Sequence, residues 1–437
     1  MNLRTWLVIG CYFGALVCPS LAAQQAPSGT WIGKWERDGS ILDVEVVFKP
    51  TDSGYSGTFS SEQLRTVGIP FEHVRYDAPR ITWALAGDAA TTRFDGKLQG
   101  TTLTGQFREG DATGTFRLTR AQSIAAAIQE QEISFGNGEV QLAGTVIYPA
   151  GPGPFPCVVL LHGSGAEARW ASRYLATAFA RNGIAALVYD KRGVGASTGD
   201  WRQAGFAELA GDASAAVEAL RAWPGIDSGR IGLHGHSQGA MIVAQVASDN
   251  PHVAFVIGSA ATGVSMAETE VYSLGNAIGV SRLPATEQPL AKRFIEAIVA
   301  TAYGGAPRAQ LENAWQSVHD RPWAFQPPPD SDAYWSFSHR IASYRPLDYW
   351  RQVAVPVLLV YGEDDARVPS RKSAAQIANA YLGGQGTQLE VRFFPAADHT
   401  LRLRPRTSGK FEWPRSAPGY PDVMIRWVMK ITEAGGT

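Results

Sequence analysis

The sequence predicts a small all-β domain followed by a mostly parallel, doubly wound α/β sheet that carries a helical cap. Three observations predict it. Short strands between Gly-rich turns fill residues 29–120. From residue 132 onward, continuous apolar strands alternate with helical stretches, the pattern of a parallel sheet covered on both faces. That alternation stops between residues 262 and 346, where an aromatic-rich helical segment is inserted. At about 100–200 residues per domain, the 437 residues hold two to three domains. The 39 Lys+Arg balance 40 Asp+Glu to a net charge of −1, which removes the electrostatic argument for a nucleic-acid binder. No run of like charges marks an acidic or basic tail, and no fixed-period repeat or low-complexity segment is present.

Residues 1–23 read as a signal peptide. Met1 to Arg4 carry positive charge, Trp6 to Cys18 form a short apolar run, and Ser20-Leu21-Ala22-Ala23 offers small residues for cleavage after Ala22 or Ala23. The expectation is an exported protein, periplasmic or extracellular, with no membrane contact after cleavage. An uncleaved anchor, or a lipoprotein attached at Cys11, is the weaker alternative. Cleavage removes Cys11 and Cys18. Cys157 is left alone in an apolar run, where it reads as a small buried hydrophobe.

Seven strands are expected in the all-β domain: 29–36, 42–49, 55–60, 80–85, 93–98, 102–108 and 114–119. Val44, Val46 and Phe48 alternate with Asp43, Glu45 and Val47, the period of a half-buried strand. Regular short strands of this kind suggest a sandwich or barrel. Trp31, Trp35 and Tyr55 suit either that domain's own core or the cap. Residues 121–131, rich in Ala and Gln, read as a short helix or linker. The second domain, 132–434, is expected to place buried strands at 157–161, 185–189, 230–233, 255–259, 357–361 and 390–394. Helices are expected at 208–223, 241–248, 290–303, 310–317 and 422–432.

The chemistry lies in the loops after those strands. Gly235-His236-Ser237-Gln238-Gly239 follows one strand and opens a helix, as a nucleophile elbow does; flanking glycines let the chain turn sharply and expose the hydroxyl. Gly195-Ala196-Ser197-Thr198-Gly199 has the same spacing without strand–turn–helix context, so Ser197 reads as part of a flexible loop. A serine nucleophile needs a base and an orienting acid. His399 is the only histidine beyond the acidic loop Glu363-Asp364-Asp365, so chain order selects it as base. Asp365 is favoured as acid over its neighbour Asp364, which reads as a turn or capping residue, and Asp398 adjoins the base. His162-Gly163-Ser164-Gly165 follows the first buried strand. Its backbone N–H groups, with that of Gln238, are the expected oxyanion donors, and His162 shapes the loop. Trp315, Trp323, Phe325, Tyr334, Trp335, Phe337, Tyr344, Tyr349 and Trp350 crowd the cap, either as its core or as walls for apolar substrate groups.

With these motifs in place, the sequence resembles the α/β-hydrolase superfamily across residues 132–434. The run from His162-Gly-Ser-Gly through Tyr189-Asp-Lys-Arg-Gly-Val-Gly-Ala-Ser197 to Asp398-His399 carries the resemblance. It looks most like bacterial exported carboxylesterases with an N-terminal β domain, relatives of the cinnamoyl-ester-hydrolase and prolyl-oligopeptidase-like groups. The resemblance implies Ser237 as nucleophile, Asp365 as acid, His399 as base, a cap over the site, a small-molecule ester as substrate, and neither cofactor nor metal. Glu167-Ala168-Arg169 departs from the Pro/Asp-containing loop of the nearest esterases and leaves substrate preference open. Serine peptidase and thioesterase activities use the same residues, and an inert binding module is the reading from another class. The all-β domain is expected to be a separately folded accessory that supplies no residue to this machinery.

Overall fold

The computed structural model describes residues 26–87, 90–121, 128–406 and 409–434. The expected signal peptide lies outside the described residues. The described residues divide into two compact units, one within 26–61 and 68–121, the other within 62–67 and 128–434.

The first unit is built on a nine-stranded antiparallel sheet. Its strands are β1 (Gly29–Arg37), β2 (Ser40–Thr51), β3 (Gly54–Ser61), β4 (Thr66–Pro70), β5 (Glu72–Asp77), β6 (Arg80–Leu85), β7 (Thr92–Gln99), β8 (Thr102–Glu109) and β9 (Ala112–Arg120). Their order is β4-β3-β2-β1-β9-β8-β7-β6-β5. The two strands beyond the seven expected, β4 and β5, stand at the ends of that order. Neither contains a fully buried residue, and Gly68 and Pro70 break up β4. Edge strands tolerate such residues because half of their backbone groups face no partner. Phe71, between the two, donates its N–H to the Gly57 carbonyl at 2.8 Å. Trp31 and Trp35 are buried, and Trp35 stacks on Phe59 at 4.6 Å between ring centroids while Trp83 stacks on Phe94 at 4.9 Å. Each such pair contributes about 0.5–1.5 kcal/mol beyond the area it buries. Tyr55 packs edge-on against Tyr76.

The second unit has an eight-stranded sheet. Its strands are β10 (Ile128–Asn137), β11 (Val140–Pro149), β12 (Phe155–Leu161), β13 (Ala185–Tyr189), β14 (Ile226–His236), β15 (Val256–Ser259), β16 (Val357–Gly362) and β17 (Leu389–Phe394). The order is β10-β11-β13-β12-β14-β15-β16-β17. The pairs β10/β11 and β11/β13 are antiparallel and the others parallel. The expected helix or linker at 121–131 is corrected in part: β10 begins at Ile128, and residues 122–127 lie outside the described ones. An edge strand exposes Gln129, Glu130, Gln131 and Glu132, a composition that reads as helical when no partner strand is in view. The positions of β12, β13 and β16 are almost all buried, which is why those strands are apolar throughout. Helices α1 (Arg173–Arg181), α2 (Phe206–Arg221) and α3 (Gln238–Asp249) follow the early parallel strands. Leu209, Val217, Val243 and Val246 pack against one sheet face. Leu175 and Phe179, with Met424 and Val428 near the C-terminus, pack against the other.

Between β15 and β16 lies the insertion, α4 (Met266–Ile278), α5 (Gln288–Gly304), α6 (Arg308–Gln316), α7 (Ala333–Ile341) and α8 (Pro346–Trp350). Ser265 caps α4 by accepting the Glu268 N–H, and Gly279 ends it in the left-handed conformation at φ 73°. The insertion has its own core around Phe294, Ile298 and Leu311, against which Trp315, Trp323, Tyr334 and Trp335 pack. Phe337, Tyr344, Tyr349 and Trp350 join the core beside the large sheet instead. These rings pack against the protein's own cores. The chain continues through α9 (Ser370–Leu382) and β17 to the closing helix α10 (Tyr420–Ala434).

Candidate active site

β14 ends at His236, α3 begins at Gln238, and Ser237 occupies the turn between them. Its φ of 55° and ψ of −115° lie where a non-glycine residue rarely sits. Strain of this kind costs on the order of 1–3 kcal/mol and persists only where the surroundings impose it. Here the Ser237 N–H donates to the Ser259 carbonyl at 3.0 Å, and its carbonyl accepts from Met241 N–H at 3.1 Å. The flanking glycines are demanded by close approach. A Cβ on Gly235 would meet the Gly239 carbonyl carbon at 2.2 Å, and one on Gly239 the His162 oxygen at 2.7 Å.

His399 follows β17. Its Nε2 lies 2.9 Å from Ser237 Oγ, and its Nδ1 lies 2.8 Å from Asp365 Oδ2. The other Asp365 oxygen accepts the N–H groups of Arg367 at 2.7 Å and Val368 at 2.9 Å, which fixes the buried carboxylate. Asp364 points elsewhere, 3.7 Å from Arg404 Nε. Asp398 accepts from the N–H groups of Thr400 and Arg402 and so shapes the turn that carries His399. Two residues of α4, unsuspected from sequence, reach the acid loop: Tyr272 Oη donates to the Asp365 carbonyl at 2.8 Å and Asn276 Nδ2 to the Ala366 carbonyl at 3.1 Å. Arg65, in the segment 62–67 that clusters with this unit, donates to the Leu401 carbonyl at 2.7 Å and to Ser416 Oγ at 2.8 Å.

Three other histidines are held neutral by burial. It pushes His162 and His236 down to about 4 and His234 to about 3. His162 Nε2 donates to the Tyr189 carbonyl, a loop-shaping bond. Burial pushes the Cys157 thiol well up, which keeps it protonated and unreactive. Among the described residues no cluster of three or more His, Cys, Asp or Glu could hold a metal ion.

The expected oxyanion loop needs one correction. The Gly163 N–H donates to Glu167 Oε2 at 2.8 Å, so it is occupied. Among the described residues the Ser164 and Gly165 N–H groups have no acceptor. Gln238, first residue of α3, has no intrahelical acceptor for its N–H. Ser197 is corrected too, because it is buried rather than in a flexible loop. Its Oγ donates to the Asp190 carbonyl at 2.7 Å and accepts the Ala143 N–H at 3.0 Å. The run around it is a scaffold: Asp190 accepts from Arg169 and Ala196, while Arg192 grips Asp212 of α2 through two bonds of 2.6 and 2.7 Å. A cavity of about 500 Å³ is lined by residues flanking the relay, including Gly163, Glu167, His236 and Thr400.

A mostly parallel sheet with a serine in a strained strand-to-helix turn and covering helices defines the α/β-hydrolase fold. Residues 153–403, more than half of the chain, match the family model described as serine aminopeptidase, S33, and the chain belongs to that family. Solved structures similar to it include a hypothetical protein from Pseudomonas aeruginosa at 18% identity and TM-score 0.45, covering 71% of this chain and 95% of that one. An esterase from Pyrococcus furiosus is 17% identical, with TM-score 0.45 and coverage of 70% of this chain and 91% of that one. A proline iminopeptidase from Mycobacterium smegmatis is 17% identical, with TM-score 0.45 and coverage of 70% and 100%. No curated protein matches the chain.

Proposed function

We propose that the protein is a serine hydrolase that cleaves carboxylic esters of small molecules through an acyl-enzyme. The observation that carries this reading is the unbroken relay from Ser237 Oγ through the His399 ring to Asp365. Ser237 Oγ attacks the ester carbonyl while His399 Nε2 takes its proton. Asp365 holds Nδ1–H and stabilises the imidazolium as it forms. The negative charge on the tetrahedral oxygen is met by the N–H of Gln238 and those of the Ser164–Gly165 loop. One such donor typically contributes about 2.7–4 kcal/mol to transition-state stabilisation. His399 then protonates the departing alkoxide. Water, deprotonated by the same nitrogen, releases the acid and restores Ser237.

The N-terminal residues 1–23 are read as an export signal, which N-terminal sequencing of the mature protein tests. Activity is tested by fluorophosphonate labelling with the modified residue mapped by mass spectrometry, alongside p-nitrophenyl esters, thioesters and peptide anilides on one purified sample. Label on Ser237 with ester turnover supports the proposal. An unlabelled, inactive protein would be a binding module. The family's description names an aminopeptidase, so turnover confined to anilides bearing a free amino terminus would move the assignment there.

A further inference from the structure

We propose that Lys191 is the positioning residue of the oxyanion pocket, its ammonium tying the loop after β12 to the head of α3. The inference rests on the serine-hydrolase reading above and names a part of the same site.

Lys191 is 2% exposed. Its three ammonium hydrogens match three acceptors: the Gly163 carbonyl at 2.9 Å, the Gly165 carbonyl at 3.0 Å and Gln238 Oε1 at 2.7 Å. All three are neutral, and burying a cation against neutral acceptors is costly. Burial accordingly pushes the ammonium down to about 8, against the pull of the Glu167 carboxylate. An apolar side chain would fill this volume without that cost, so the cost points to a task.

Peptide geometry supplies the task. The Gly163 carbonyl and the Ser164 N–H belong to one planar trans peptide and point in opposite directions. Holding the carbonyl therefore aims the N–H. Glu167 holds the preceding edge through the Gly163 N–H, so the loop is gripped on both sides. The third bond reaches the side chain of Gln238, whose own N–H is the second donor. Lys191 thus sets the distance between the two donors, and its charge polarises the peptide that carries the first.

The test uses Lys191→Met in the full chain, which keeps length and removes all three donors. The readouts are kcat and KM on p-nitrophenyl acetate, and the second-order rate of phosphonylation of Ser237 by a fluorophosphonate, both per titrated site. The expected result is about a hundredfold loss in kcat and a parallel loss in phosphonylation rate, with KM within about threefold. A merely structural role would instead lower the titratable fraction and shift KM. Values within threefold of wild type in folded Lys191→Met overturn the proposal. If that variant does not fold, Gln238→Met decides. It removes one bond and keeps the N–H, with about a tenfold loss expected, and an unchanged rate overturns the proposal. Wild-type protein that takes no label at Ser237 defeats the hydrolase reading and this one together. Label without ester turnover leaves the phosphonylation comparison in force.

Discussion

His236 Nε2 donates a hydrogen bond to the main-chain carbonyl of His399 at 2.9 Å. The residue before Ser237 thus grips the backbone of the residue whose ring meets the Ser237 hydroxyl, and strand β14 is tied directly to the loop after β17. His236→Ala removes this donor and leaves the carbonyl without it. The expected outcome is about a tenfold fall in kcat with KM little changed, and a stability loss of about 1–3 kcal/mol. Denaturant unfolding and steady-state kinetics on one sample check both.

The two serines of Gly-X-Ser-X-Gly spacing separate cleanly. Ser237→Ala abolishes turnover by at least about a thousandfold. Ser197→Ala keeps kcat within about tenfold per folded molecule but costs about 1–3 kcal/mol, because the Asp190 carbonyl and the Ala143 N–H each lose a buried partner. Equal activity losses in two equally folded variants would contradict this.

The neighbouring carboxylates differ in the same way. Asp365→Asn removes the acceptor that orients the His399 Nδ1–H, and kcat falls by about 10³–10⁴. Asp364→Asn, altering a side chain 3.7 Å from Arg404, stays within about threefold. Reversed ranking would move the relay by one residue.

Stability falls on acidification. His162, His234 and His236 titrate at about 4, 3 and 4 when folded, against about 6.5 when unfolded. Between those values the unfolded chain binds more protons, so stability is full above about pH 6.5 and is lost as pH falls towards 4. Thermal melts from pH 7 to pH 5 show a declining Tm, and His234→Gln flattens the slope. A Tm independent of pH across that range in the wild type would refute buried neutral histidines.

Much of the large sheet is legible in the sequence because β12, β13 and β16 are buried on both faces and so are apolar without interruption. The elbow is legible because close approach forces glycine at 235 and 239. The edge strands β4, β5 and β10 are not, since a strand with one partner and an exposed face needs no regular alternation, and neither is β11, whose apolar run is broken by Gly144 and Thr145. Lys191 is hidden for another reason. In Asp190-Lys191-Arg192 it looks like one of a solvated charged group, and only the fold brings residues 163, 165 and 238 to its ammonium. Tyr272 and Asn276 likewise declare nothing until α4 meets the acid loop.

The two bonds from α4 to the carbonyls of Asp365 and Ala366 also limit how the protein can be re-engineered. The insertion is not an interchangeable lid. A chimera that borrows this segment from another hydrolase to change substrate scope brings its own residues to positions 272 and 276. Unless these restore a hydroxyl and an amide donor, the acid loop loses part of its support, and the graft is slow on every substrate, including the donor enzyme's own.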